Sequence, residues 1–155
     1  MISPELLRRF PFFAPLNEAQ LREIAMIAEE FSAQEGEQLF EECQPADYLY
    51  VLVEGAVELF YKSEEEYHPK SKKEFSVGDI NPGEVFAFSA LIDPYVLNAT
   101  GRAAQACRIV KIDAKSLRAL FEKDPQMGYL AMHQLTKGLM ERLAYTRVQL
   151  AAAWA

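Results

Sequence analysis

The chain has 155 residues, enough for one domain with its own core, and no stretch reaches the roughly 18 consecutive apolar residues of a membrane span. Twenty-three acidic against 16 basic residues give a formal net charge of −7, a field that repels the phosphate backbone of nucleic acid. Two cysteines (Cys43, Cys107) and two histidines (His68, His133) are too few for a disulfide framework or a histidine-lined metal site, which points to a reducing, cytoplasmic setting.

Ser3-Pro4 reads as an N-cap followed by proline at the first helical position, and Asn17 with Gln20 reads as the capping box of a second helix. Leu21, Ile24, Ala28 and Phe31 recur at spacings of three and four, which predicts that this helix runs through Phe31 with Glu18, Arg22, Glu29 and Glu30 on its wet side. Residues 1–34 are therefore read as N-terminal helices. From 35 to 112 the pattern changes to short apolar or alternating runs broken by Gly, Pro and Asp, as in a sandwich or barrel of antiparallel strands. Within DYLYVLVEGAVELFY (47–61), Glu54-Gly55 has the length and the glycine of a two-residue hairpin turn. The next segment, KSEEEYHPKSKKE (62–74), mixes charges of both signs and reads as an exposed hairpin tip, with Lys70, Lys72 and Lys73 solvated. Residues 113–155 return to helix. Asp113 can cap a short one with Leu117, Leu120 and Phe121 facing inward, and Asp124-Pro125 can open a last, long one. On the long helix, Met132, Leu135, Leu139, Leu143 and Leu150 form an apolar stripe that either packs on its own roll or pairs with a second copy; its length favours pairing, which predicts a homodimer. Gly138 would cost an isolated helix about 1 kcal/mol, so it marks a close backbone approach.

Three short motifs carry a family resemblance. Gly36 in QEGEQLF, Tyr50–Gly55 in YVLVEG, and NPGEVFA (81–87) resemble the structural glycines and the PGxxFG segment of the cyclic-nucleotide-binding domain found in catabolite-activator-type regulators, kinase regulatory subunits and gated channels. The resemblance covers nearly the whole chain and implies one domain, 1–155: N-terminal helices, an antiparallel β-roll of jelly-roll (double-stranded β-helix) type, and a long C-terminal helix that closes over the nucleotide base. It also implies that Gly83–Thr100 is the phosphate-binding cassette, with ligand positions Phe86, Ala87, Phe88, Ser89, Ala90, Leu97, Asn98 and Ala99. The family's cassette has Phe-Gly-Glu at 86–88 and an arginine two residues before its alanine. Aligned on Ala99, Phe88 stands in place of the glutamate that accepts from the ribose hydroxyl, and Leu97 in place of the arginine that forks onto the phosphate. Cys43 stands where the family has a glycine, which predicts a differently bent turn. Arg102 can replace the missing cation or lie at the surface, and Arg142 and Tyr145 on the last helix can touch a ligand from above or face solvent or an interface; the second is expected in each case.

The resemblance and its departures together predict a non-enzymatic regulatory or interaction module in signal transduction, with a degenerate nucleotide pocket. GxSxG, a Walker loop and a dinucleotide fingerprint are all missing from the sequence. No cofactor or metal is expected, and neither nucleic acid nor membrane is an expected partner. The chain stops at Ala155, before the winged helix-turn-helix that related regulators carry, so the expected partner is a protein. The alternative is a working sensor that holds cAMP, cGMP or another small ligand through backbone amides around Ser89 and Ala99.

Overall fold

The computed structural model describes residues 1–63 and 73–155 of the chain. Four α-helices and eight strands follow the order α1 (Pro4–Arg8), α2 (Glu18–Met26), β1 (Ala28–Ala33), β2 (Gln38–Phe40), β3 (Tyr48–Glu54), β4 (Val57–Ser63), β5 (Lys73–Ile80), β6 (Val85–Phe86), β7 (Thr100–Ala103), β8 (Cys107–Asp113), α3 (Ala114–Lys123) and α4 (Pro125–Ala153). Each helix start is fixed by the capping residue that the sequence supplies. The Ser3 hydroxyl accepts from Glu5 N, Asn17 and Gln20 form a reciprocal capping box, Asp113 accepts from Ser116 N, and Asp124 from Met127 N. Asp124 also accepts from the Gln20 side-chain amide at 3.0 Å, which ties α2 to the start of α4.

The strands form two four-stranded antiparallel sheets, β1-β8-β3-β6 and β2-β7-β4-β5, which face each other across a continuous apolar core. This is the roll that the sequence predicts. It starts earlier than residue 35, because α2 ends at Met26 and residues 28–33 pair with β8 from Ala28↔Ile112 to Ala33↔Cys107. Ala28 and Phe31 therefore belong to a strand, not to a helical stripe. Their burial pattern, Ala28 and Ala33 inside with Glu29 and Glu30 outside, is compatible with both readings over so short a run.

The turn at Glu54-Gly55 is also corrected. β3 bonds β8 and β6, whereas β4 bonds β5 and β7, so the chain crosses from one sheet to the other at Gly55 and makes no hairpin. Gly55 has φ 103°, and a Cβ there would lie 2.5 Å from the Ala106 carbonyl oxygen and 2.8 Å from Cys107 Sγ. Only glycine meets both the angle and the space. The β4–β5 ladder extends to Ser63↔Lys73, and the predicted tip between them, including Lys70 and Lys72, lies outside the described residues. At the core's centre, Tyr50 stacks on Phe40 (5.3 Å, 24°) and on Phe86 (5.3 Å, 18°). This aromatic column is the floor on which the next segment rests.

Candidate functional site

Phe86 closes β6 opposite Tyr50 and is fully buried, so the cassette leaves the roll from a rigid point. The next residue, Ala87, turns the chain with φ 64° and ψ 50°, a left-handed conformation that costs a side-chain-bearing residue roughly 1–2 kcal/mol. Glycine would take this angle without that cost. Phe88–Leu91 then form a single 3-10 turn, in which Ala87 O accepts from Ala90 N and Ser89 O from Ile92 N. One turn of this kind aligns few peptide dipoles, and its Ala90 amide is already engaged. The amide row expected around Ser89 is therefore short.

The segment carrying Leu97 is tied to the turn at 43–46 by backbone hydrogen bonds. Leu97 N donates to Gln44 O at 2.9 Å, Leu97 O accepts from Cys43 N at 2.8 Å, and Tyr95 O accepts from Ala46 N at 2.8 Å. Cys43 adopts φ 70°, in the left-handed region that favours glycine. Within this frame the eight expected positions divide. Phe86, Ala87, Phe88, Ala90 and Leu97 are buried, Phe88 at 9% and Leu97 at 6% exposure; Ser89 and Ala99 are half-buried and Asn98 is exposed. Large apolar side chains at 88 and 97 pack as added core.

The C-terminal helices reach over this segment with two arginines. From α3, Arg118 donates to Ala90 O at 2.7 Å and lies 3.9 Å above the Tyr95 ring. From α4, Arg142 donates to Val85 O at 2.9 Å and lies 4.3 Å above the Phe88 ring. Burial pulls the Arg142 guanidinium below its ordinary value, with Glu84 acting in the opposite direction. The sequence reading that set Arg142 at solvent or an interface is thus corrected. Gly138, one turn earlier on the same face, was the available signal: a Cβ there would sit 3.0 Å from Phe88 Cζ, so its absence lets α4 come close. Arg102 is committed elsewhere, paired with Glu74 at 2.8 Å and stacked on Phe60 at 4.6 Å.

A cavity of about 550 Å³ opens between β5, the start of the cassette and α4. Of the eight expected positions only Phe88 borders it, together with the cations Lys137 and Arg142, the acids Asp79, Glu84 and Glu141, and apolar groups including Phe12, Leu59, Val77 and Tyr145. Among the described residues no cluster of three His, Cys, Asp or Glu side chains is placed to hold a metal, and no helix is long and apolar enough to cross a membrane.

The family model of the cyclic nucleotide-binding domain matches residues 30–124, from β1 through the cassette to the end of α3. The chain belongs to this family. A candidate cyclic nucleotide-binding protein of Geobacter metallireducens GS-15 is similar in structure (TM-score 0.81) and 38% identical, over 92% of this chain and 99% of that one. A cyclic nucleotide-binding domain of Methylobacillus flagellatus shares the fold, with a TM-score of 0.77 at 17% identity over 96% of this chain and 80% of that one. A candidate potassium channel protein of Rhodopseudomonas palustris is 24% identical over 139 residues, 89% of this chain, and the chain spans only 31% of that protein's length.

Proposed function

We propose that this domain is a non-enzymatic regulatory or interaction module whose nucleotide pocket is degenerate, acting in the cytoplasm through a protein partner. One observation carries the reading: the two cassette positions at which relatives place a carboxylate and a guanidinium hold Phe88 and Leu97, both turned into the core. A cyclic phosphate entering there would lose its hydration without gaining a fixed countercharge. Loss of two charge-assisted hydrogen bonds, at roughly 1.5–3 kcal/mol each, weakens binding by about two to four powers of ten. The partner surface is the far half of α4, where Leu139, Leu143, Val148 and Leu150 are exposed, and a second copy paired along this stripe is the homodimer we expect.

The test is thermal unfolding with millimolar cAMP and cGMP. A bound ligand at 100 times its dissociation constant stabilises the fold by about 2.7 kcal/mol, so a flat response is expected and an upward shift rejects degeneracy.

A second reading, a small-molecule sensor, draws support from the cavity beside Phe88. Its mixed lining of Lys137, Arg142, Glu84 and apolar groups suits a compact polar ligand with an apolar body better than a nucleotide held at Ser89 and Ala99.

A further inference from the structure

Within one chain, the last side chain of α4 that packs on the roll is Arg142. Every residue from Leu143 to Ala153 is exposed, so Arg142 is the last position of the helix that is half-buried against the roll. Its guanidinium is aligned for two contacts at once, over the Phe88 ring at 4.3 Å and donating to Val85 O at 2.9 Å. Both partners belong to the cassette, and one of them is the residue that replaces the cassette's carboxylate. A turn below, Gly138 removes the side chain that would otherwise hold α4 away from Phe88, since a Cβ there would meet Phe88 Cζ at 3.0 Å. The pair Gly138–Arg142 on the helix and Phe88 on the cassette thus form a matched set: a gap, a platform and a planar cation. The carbonyl supplies direction and the ring supplies attraction that strengthens as water is excluded.

We propose that Arg142 is an intramolecular latch: the chain's own guanidinium, held over Phe88 and on Val85 O, keeps α4 closed on the cassette. The latch rests on the geometry of Phe88, Val85 and Arg142 and is independent of whether the module binds a nucleotide. It makes closure of α4 the resting condition of this domain.

Amide hydrogen exchange on the full chain tests this, comparing the parent with Arg142→Ala, Phe88→Ala, the double variant and Arg142→Lys. Exchange in 139–153 is expected to speed up by at least about tenfold in each single variant, the factor that 1.4 kcal/mol corresponds to. The double variant is expected to be no faster than Arg142→Ala, because that substitution already removes both the ring contact and the bond to Val85 O. Arg142→Lys, which keeps charge but loses the planar fork, is expected to open as Arg142→Ala does, while peptides in β8 stay protected in all. Should Phe88→Ala fail to fold, Phe88→Leu takes its place, since it keeps the bulk and removes the aromatic face. Exchange within about twofold of the parent in the single variants, effects that multiply in the double, or full protection by lysine would each overturn the latch.

Discussion

Replacing Phe88 by glutamate and Leu97 by arginine installs a carboxylate and a guanidinium at the two proposed anchor positions, and the structure sets what each can contribute. With charge-assisted hydrogen bonds at about 1.5–3 kcal/mol each, the pair brings a cyclic nucleotide about two to four powers of ten in affinity if both are free to act. The carboxylate is not free. Arg142 sits 4.3 Å above the ring that the glutamate replaces, so the introduced carboxylate takes that guanidinium as its partner in a largely buried setting. Phe88→Glu with Leu97→Arg is therefore expected to recover only the arginine share, about one to two powers of ten. Adding Arg142→Thr releases the carboxylate and recovers the rest. Calorimetric titration with cAMP measures the affinities, and thermal unfolding gives an independent reading. At 100 times the dissociation constant, about 2.7 kcal/mol of stabilisation moves the melting temperature of a domain this size by roughly 5–11 °C. If the double variant binds as tightly as the triple, Arg142 does not capture the carboxylate and the electrostatic reasoning fails. If both variants fold and neither binds, Phe88 and Leu97 are not the anchor positions.

Three further outcomes follow from the backbone and the core. Ala87→Gly relieves the left-handed strain at φ 64° and should raise stability by about 1 kcal/mol in urea unfolding; an unchanged or lower midpoint would show that the turn is not strained. Gly55→Ala forces a Cβ to within 2.5 Å of the Ala106 carbonyl oxygen at φ 103°, and should cost about 3 kcal/mol or more; a loss under about 1 kcal/mol contradicts the sheet-crossing corner. Burial chiefly, then Tyr48 and Asp47, pushes the Tyr50 phenol up to about 12 from 10.0. The unfolded chain releases that proton near pH 10 and the folded chain holds it, so stability present below pH 10 is lost as pH rises through about 12, at up to about 1.4 kcal/mol per pH unit. Tyr50→Phe should flatten the stability profile between those values, and an identical slope in parent and variant would refute the assignment.

Local chemistry is what the amino-acid sequence expressed most directly. All four helix starts were readable because a cap needs only a side-chain acceptor and an amide two or three residues on, as at Asp113 and Ser116. The roll was readable from run lengths and from the glycine motifs that the family resemblance identified. What was misread depended on partners far away in the chain. Leu21, Ile24, Ala28 and Phe31 fit a helical stripe as well as a helix followed by a strand, and only pairing with β8 decides between them. Gly55 looked like a hairpin because a hairpin and a sheet-crossing corner make the same local demand for positive φ. Arg142 is remote from Phe88 along the chain, and nothing in α4's own pattern separates a cation that lies on a ring from one that points to water. Gly138 was the sole hint, since a helix former would have been expected at a position with no neighbour.

The loop bearing Leu97 is fastened to the turn at 43–46 through amide and carbonyl groups, which every residue type except proline possesses in full. Its path is consequently indifferent to what projects from position 97. Exchange of arginine for leucine there alters what the socket can grip without altering the socket. Such a fastening would let position 97 be refitted for a different guest while the walls stand.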